Sequence, residues 1–264
     1  AIRKGHGSVS LDNQLKTALG RRTIAPYLDF GETTDEQLPW LRLLKNGYMD
    51  EPDTEKAPAS FMIQDEWFDM LKATVKKADA HNWYAWYHLG ICYYAREDYE
   101  RAYEMFERSL SLKPSTWGYH ALANVCFAIG EDKKGAFLIS KALSLNSENL
   151  PLAKEAMRFA YEVKEFDLML SMYKEMKPDH QSDPLILSYY AISLAHTGKL
   201  EEAKAIFDND GGLIIEDRRE GDDATAVEYT YIVQELARKN GKEIKAEDVK
   251  VPEALDYRMF HVSK

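Results

Sequence analysis

The sequence predicts an all-α fold: a right-handed α-solenoid of helical hairpins, with non-repeat helical caps at both ends. Three observations lead to this prediction. A pattern of aromatic and small residues returns after 34 residues, apolar residues fall at helical spacing, and Gly and Pro separate the helical segments. A repeat of this length holds one pair of helices, and stacked pairs bury a continuous core.

The clearest repeat unit covers residues 83–116, WYAWYHLGICYYAREDYERAYEMFERSLSLKPST. It resembles the tetratricopeptide repeat, whose pattern is W-x2-L-G-x2-Y, then A-x3-F, then P. The matching residues are Trp86, Leu89, Gly90, Tyr93, Ala102, Phe106 and Pro114. Gly90 carries no side chain and therefore lets the second helix approach closely. Pro114 ends that second helix because it cannot donate to the helical ladder.

Three weaker units follow, which gives about four in all. The predicted units are 83–116, 117–149, 150–183 and 184–209. Gly130 and Gly198 mark turns within the second and fourth units. Asn124 stands where the first unit has its glycine, so the second unit departs from the family pattern.

The segments on either side of the repeats lack this period. Residues 1–33 are predicted to be an extended N-terminal segment, with one short helical candidate behind Ser10 as its cap. Residues 34–82 are predicted to form a non-repeat helical cap, whose first helix starts behind Thr34. Terminal repeats need such caps because an open solenoid end exposes core residues.

Residues 210–264 are predicted to form a turn, a capping helix closed by Gly241, and a tail that folds back on the solenoid. The tail is too apolar to remain in water, and its alternation suits an extended segment. Its apolar residues are Leu255, Tyr257, Met259 and Phe260.

Several phrases in the flanks suggest a more particular relationship. RRTIAPYLDFGETTDEQLPWLRLL, SFMIQDEW, LIIEDRREG and LDYRMF are similar to the C-terminal region of large bacterial tetratricopeptide proteins. Those proteins carry an N-terminal β-rich domain of unknown function that resembles sugar mutarotases. The resemblance implies that this chain is part of a longer protein. It transfers no catalytic residue, because the β-rich domain is not in the sequence.

Composition and charge narrow the classes of partner. Asp and Glu outnumber Lys and Arg by 44 to 34, for a formal charge of −10. Such a surface repels nucleic-acid phosphates and anionic lipids, so neither a nucleic acid nor a membrane is expected as a partner. No apolar run is long enough for a transmembrane helix. The cytoplasm is the default compartment, although a fragment would have lost any signal.

No pattern in the sequence points to catalysis, a metal or a cofactor. Cys92 and Cys126 are 34 residues apart, hence at equivalent repeat positions, and are predicted to be buried thiols rather than a disulfide. The histidines lack metal-ligand spacing. The acidic cluster at 216–223 is predicted to be solvated. The chain itself is therefore predicted not to be an enzyme.

The resemblance to tetratricopeptide arrays implies a binding surface, because fixed positions of each first helix line the concave face. Those positions are aromatic and apolar in the first two units and cationic in the third. The candidates are Tyr84, Tyr87, Ile91, Tyr94, Val125, Lys154, Arg158, Tyr161, Ser188 and Ile192. Two alternatives remain open: the aromatic residues are core, or the chain's own tail fills the trough.

The predicted function is a non-catalytic binding or scaffolding module. Its partner would be a protein or peptide, or the remainder of its own polypeptide. The alternative is an accessory domain of a carbohydrate-active enzyme, which would position a β-rich catalytic domain or contact sugar.

Overall fold

A computed structural model describes residues 8–21, 34–58, 60–76, 82–209, 213–215 and 224–256. Every regular element within those ranges is a helix, which confirms the predicted all-α fold class. The chain divides into two compact units, here called unit 1 (Ala1–Leu145) and unit 2 (Asn146–Lys264). None of the described helices has both the length and the apolar character that crossing a membrane requires.

Unit 1 contains two helices that flank a linker, preceded by one short helix and followed by two helical hairpins. The helices are α1 (Ser8–Ala18), α2 (Leu38–Asn46), α3 (Asp65–Val75), α4 (Trp83–Tyr94), α5 (Tyr99–Leu112), α6 (Thr116–Ala128) and α7 (Asp132–Leu145). Hairpin 1 is the pair α4 and α5, and hairpin 2 is the pair α6 and α7.

Unit 2 contains two further hairpins and a long terminal helix. The helices are α8 (Leu150–Glu162), α9 (Phe166–Glu175), α10 (Pro178–Gln181), α11 (Pro184–His196), α12 (Leu200–Phe207) and α13 (Ala224–Lys239). Hairpin 3 is α8 and α9, and hairpin 4 is α11 and α12. Two short 3-10 turns follow, Ala246–Asp248 and Glu253–Leu255.

A polar residue caps the first helix of every hairpin. The side chains of Asn82, Ser115, Asn149 and Asp183 accept hydrogen bonds from backbone N–H groups in the first turns of α4, α6, α8 and α11. These N–H groups have no partner inside the helix, so each cap fixes where its helix begins. The caps recur every 33 or 34 residues and set the period of the hairpins.

The turn inside each hairpin has the same left-handed backbone geometry. The left-handed residues are Glu97, Gly130, Lys164 and Gly198, with φ between 59° and 92°. In every case the next N–H group donates to the carbonyl five residues earlier, which is a Schellman motif. Glycine marks only two of the four turns, and for this reason the sequence reveals the other two less clearly.

Hairpin 1 is held together by the contact between Gly90 and Phe106. Phe106 is fully buried, and a Cβ atom added to Gly90 would lie only 2.6 Å from its ring. The predicted role of Gly90 in close helix packing is therefore confirmed. Hairpin 2 reverses the arrangement: there the glycine is Gly135 on the second helix, and the ring is that of Phe127 on the first.

Two helix starts differ from the sequence-based expectation. α1 coincides with the short helix predicted within the N-terminal segment, but it begins at Ser8, so Ser10 lies inside the helix and does not cap it. α2 begins at Leu38 rather than behind Thr34. The intervening residues form a turn in which the Thr34 N–H donates to the side-chain oxygen of Gln37 at 3.1 Å. The Gln37 N–H donates to the Thr34 carbonyl three residues earlier, a tighter spacing than that of an α-helix, so the α-helix itself starts only at Leu38.

The C-terminal part of unit 2 agrees in part with its prediction. The expected helix is α13, and Gly241 follows its end with a φ of 68°. Leu255 is fully buried, but it lies in a 3-10 turn rather than in an extended segment. Three other tail residues of the prediction, and the acidic cluster at 216–223, lie outside the described residues. The three are Tyr257, Met259 and Phe260.

Candidate functional site

The linker between α2 and α3 runs against hairpins 1 and 2. Its backbone accepts hydrogen bonds from two indoles: Trp117 Nε1 donates to the carbonyl of Glu55 at 3.4 Å, and Trp40 Nε1 donates to the carbonyl of Ser60 at 2.6 Å. The ring of Phe61 then lies 5.9 Å from that of His88 on α4. The linker therefore forms one side of a pocket.

This pocket, here called the aromatic pocket, lies between the linker and helices α4, α5 and α6 and has a volume of about 390 Å³. That volume is typical of sites that take a small ligand or a side chain. The described residues that line it are mostly apolar, and none is an Asp, Glu, Lys or Arg. They are Ala57, Pro58, Phe61, Tyr87, Ile91, Tyr94, Phe106, Trp117, His120, Ala121 and Asn124.

The pocket has a buried floor and a more exposed mouth. Tyr87, Phe106 and Ala121 are 3%, 0% and 6% exposed, so they form the floor. Phe61 at the mouth is 51% exposed. Burial raises the pKa of Tyr87 above its ordinary value, so its phenol stays neutral at any physiological pH.

Two polar side chains line the pocket from α6. Asn124 Nδ2 lies 3.2 Å from His120 Nδ1, one helical turn away. The His120 ring in turn meets the Trp117 ring edge-on, with 5.6 Å between centroids. These contacts hold the three side chains together, and they place hydrogen-bonding groups beside the aromatic walls.

Five residues of the predicted binding surface belong to unit 1, and the pocket brings three of them together. Tyr87, Ile91 and Tyr94 all line it. Tyr84 is 2% exposed, and its ring stacks behind that of Tyr87 at 6.1 Å. Val125 is fully buried and does not line the pocket.

The placement of Val125 follows from the start of α6. This helix begins at Thr116, one residue before the predicted start of the second unit, because Ser115 caps it. One residue corresponds to about 100° around a helix, so most of the side chains that face the pocket from α6, though not Ala121, differ from those of the predicted register. These residues, which the sequence reasoning missed, are Trp117, His120 and Asn124. The sequence signal that identifies them is the cap Ser115, which lies 33 residues after the cap Asn82 and fixes the start of α6.

The predicted surface residues of unit 2 are mostly engaged within that unit. Lys154 Nζ forms an ion pair with the cap Asp183 at 2.9 Å. Arg158 is exposed and pairs with Glu162 of its own helix at 2.8 Å. The two predicted residues on α11 are fully buried. They are Ser188 and Ile192.

Tyr161, the last of the predicted residues, belongs to a cluster that joins four helices of unit 2. Its hydroxyl donates to Glu228 Oε1 of α13 at 3.1 Å, and His196 Nε2 of α11 lies 2.7 Å from Oε2 of the same carboxylate. The imidazole lies between the parallel rings of Phe166 and Tyr231, at 4.1 and 4.7 Å. The cluster therefore fastens α13 to hairpins 3 and 4.

His88 is a fully buried residue of α4 that lies within an aromatic shell. The rings of Trp40, Tyr84 and Tyr87 meet its imidazole edge-on at 4.7, 4.4 and 5.3 Å. Neither ring nitrogen has a hydrogen-bond partner among the described residues. Burial lowers its pKa to about 3, so the imidazole is neutral and packs as a core side chain.

Cys92 and Cys126 are buried side chains of unit 1. Cys92 Sγ donates to the carbonyl of Met62 at 3.5 Å, and burial raises its pKa to about 11. Burial raises the pKa of Cys126 as well. Both thiols are therefore protonated and weakly nucleophilic at neutral pH. Among the described residues, no group of three His, Cys, Asp or Glu side chains is placed to hold a metal ion.

Comparison with known proteins gives one family match. Residues 83–115, which correspond to hairpin 1, match the tetratricopeptide repeat. The resemblance to tetratricopeptide repeats is supported by this match. A search of curated proteins found no significant relative.

Several solved structures resemble the chain at low identity. One is YrrB, described as a tetratricopeptide repeat protein with an unusual peptide-binding site: identity 17%, TM-score 0.46, with 66% of this chain and 85% of that chain covered. MamA has 20% identity and a TM-score of 0.39, with 53% and 82% covered. The C-terminal part of a repeat protein from Cytophaga hutchinsonii has 13% identity and a TM-score of 0.41, with 67% of each chain covered.

Proposed function

We propose that the chain is a non-catalytic binding or scaffolding module, and that its aromatic pocket takes a side chain from a peptide or protein partner. The observation that supports this most directly is the pocket itself, with a volume of about 390 Å³ and five aromatic rings among its lining residues. Aromatic side chains provide large, rigid contact surfaces and dominate the energy of protein interfaces.

The arrangement of the pocket suits one anchoring side chain rather than a long groove. The linker closes one side, and the buried floor formed by Tyr87 and Phe106 limits the depth. A partner would insert a single side chain and lay its backbone across the mouth, near Phe61 and Ile91. We further propose that the chain acts as one part of a longer polypeptide, where this module would recruit the partner.

The carbohydrate alternative uses the same rings. Trp117 and Phe61 are accessible aromatic side chains at the mouth, and such rings can also stack on a sugar. An accessory domain of a carbohydrate-active enzyme would then contact glycan through this pocket, or would only position a β-rich neighbour. The two functions differ in the class of molecule that binds.

A library of peptides displayed on phage, selected against the full chain, tests the proposal. Two matched variants locate the binding site: Phe61 and Phe137 are both 51% exposed, but only Phe61 lines the pocket. We expect the selected peptides to bind wild type and Phe137→Ala equally, and Phe61→Ala at least about tenfold more weakly, the loss typical of an interface anchor.

Two outcomes would contradict the proposal. The first is peptide binding that both variants weaken equally, because the pocket would then not be the site. The second is a failure to select peptides together with binding to a glycan array that Phe61→Ala removes, which would favour the carbohydrate alternative.

A further inference from the structure

We propose that the side chain that enters the aromatic pocket is cationic, namely the guanidinium of an arginine in a basic segment of the partner. This inference rests on the proposed function, because it names the ligand chemistry of the same pocket. Three observations carry it: the aromatic walls, the cations already placed on aromatic rings elsewhere in the chain, and the acidic linker beside the mouth.

The lining of the pocket is rich in aromatic rings and includes no charged side chain among the described residues. Cations are attracted to the negative face of an aromatic ring, most strongly for Trp, and Arg takes part more often than Lys. The pocket contains Trp117 and four further Phe or Tyr rings, and no described Asp, Glu, Lys or Arg lines it. A guanidinium that enters would therefore be surrounded mainly by aromatic side chains.

Elsewhere in the chain, aromatic rings already have cationic partners. Arg96 lies 4.2 Å from the centroid of Phe68, and Lys141 lies 5.1 Å from that of Phe137. Within the described part of the chain, seven such contacts occur, and none involves a ring of the aromatic pocket. The rings of the aromatic pocket therefore take part in none of the cation–π contacts within the described part of the chain.

The linker beside the mouth has the complementary charge. Residues 50–56, DEPDTEK, carry four carboxylates and one ammonium group. Asp50 pairs with Arg42, and Glu51 accepts a hydrogen bond from the backbone of Trp83. Glu55 is exposed, and its backbone carbonyl accepts the hydrogen bond of the Trp117 indole, so this acidic residue lies next to a residue that lines the pocket.

Charge at longer range acts in the same direction. The chain has a formal charge of −10, so a basic segment is attracted toward it before contact. Inside the pocket, the polar residues His120 and Asn124 would lose water when any side chain enters. A guanidinium has five N–H donors for nearby oxygen acceptors, whereas a leucine or phenylalanine side chain offers none. Charge attraction, contact with aromatic side chains and hydrogen bonding together favour arginine.

The test uses three fluorescein-labelled peptides with blocked carboxyl ends, equal in sequence except for a central arginine, citrulline or leucine. Citrulline keeps the shape of arginine without its charge. Fluorescence anisotropy with the full chain should show at least about fivefold tighter binding of the arginine peptide, as expected for a partly desolvated cation–π contact. Added salt should weaken the arginine peptide most.

Two variants place the effect at the pocket. Ile91→Lys puts an ammonium group at the partly exposed pocket wall, so it should weaken the arginine peptide more than the leucine peptide. Glu55→Gln should weaken only the arginine peptide and reduce its salt dependence. Phe137→Leu removes an aromatic ring outside the pocket and should change nothing, and circular dichroism checks that every variant is folded.

Each result separates this inference from the proposed function. Equal or tighter binding of the leucine or citrulline peptide at the pocket would overturn the arginine inference and leave the binding module intact. No binding by any of the three peptides would also overturn it, while peptide selection from the phage library would still decide the proposed function. Arginine binding that Ile91→Lys leaves unchanged would mean that the pocket is not the site.

Discussion

Nε2 of His196 lies 2.7 Å from Oε2 of Glu228, although the two residues are 32 positions apart and belong to different helices. The other oxygen of the same carboxylate accepts a hydrogen bond from Tyr161. One carboxylate on α13 thus satisfies side chains from α8 and α11. Because Glu228 is only 8% exposed, removing its carboxylate would break both hydrogen bonds in a mostly buried place.

We therefore expect Glu228→Ala to lower the free energy of unfolding of unit 2 by about 2–4 kcal/mol, the cost of breaking a buried hydrogen-bond network around a carboxylate. Urea denaturation followed by circular dichroism measures this. Glu247→Ala is the matched control, because Glu247 is 77% exposed, and it should change stability by less than about 0.5 kcal/mol. Equal melts for the two variants would show that the cluster does not hold α13 in place.

This cluster also shows which parts of the molecule the sequence could predict. The hairpins follow from local patterns, namely caps, small residues and helical spacing, so the all-α fold was predictable. The partners of Glu228 lie 32 and 67 residues away, and no local pattern indicates such pairings. For this reason Tyr161 was predicted as part of a binding surface, whereas the structure shows its hydroxyl bonded to α13.

The aromatic pocket was predictable only in part, for two physical reasons. Tyr87, Ile91 and Tyr94 follow from the register of α4, which begins where the sequence predicts. The register of α6 depends on a single residue, the cap Ser115, and an error of one position replaces most of the pocket residues on this helix. The contribution of the linker depends on tertiary contacts such as that of Trp117 with Glu55.

The contact between Gly90 and Phe106 gives a prediction about packing. Gly90→Ala would place a Cβ atom 2.6 Å from the Phe106 ring, so we expect a loss of about 1–3 kcal/mol in the free energy of unfolding. Phe106→Ala should cost about 3–5 kcal/mol because it empties a fully buried site. Denaturant melts measure both effects.

A double variant separates this contact from the general effect of changing a helix residue. In Gly90→Ala combined with Phe106→Leu, the smaller side chain makes room for the added methyl group. We expect the double variant to lose less free energy of unfolding than the sum of the losses of Gly90→Ala and Phe106→Leu measured singly, by at least about 0.5 kcal/mol. Additive losses would show that the two residues are not in contact.

His88 gives a prediction about pH. Its pKa is about 3 in the folded protein, against an ordinary value of 6.5 that applies to the unfolded chain. Above pH 6.5 the residue is neutral in both states and has no effect. As the pH falls below 6.5, the unfolded chain binds a proton at His88 whereas the folded protein does not. Stability therefore declines until the pH approaches 3.

Well above pH 3 the folded protein binds almost no proton at His88, so the loss of stability in that range depends only on the pKa of the unfolded chain. Between pH 7 and pH 5 we expect a loss of about 2 kcal/mol from His88. Melts of wild type and of His88→Phe at both pH values measure it, because the difference between the two proteins cancels the contribution of the carboxylates. A similar pH dependence in both proteins would contradict the buried, neutral state of His88.

The four left-handed turns give the last prediction. Lys164 has a φ of 60° and Glu97 a φ of 59°, a conformation that costs a residue with a Cβ atom about 1–2 kcal/mol. Glycine avoids this cost but loses more backbone freedom on folding, by about 0.5–1 kcal/mol. We therefore expect Lys164→Gly and Glu97→Gly each to raise the free energy of unfolding by about 0.5–1 kcal/mol.

The opposite changes, Gly130→Ala and Gly198→Ala, should lower the free energy of unfolding by a similar or larger amount. A Cβ atom at either glycine meets no other atom within 4 Å, so only backbone strain is added. Denaturant melts of the four variants decide the point, and a loss of stability in both substitutions to glycine would mean that the side chains of Lys164 and Glu97 contribute more than their backbone strain costs.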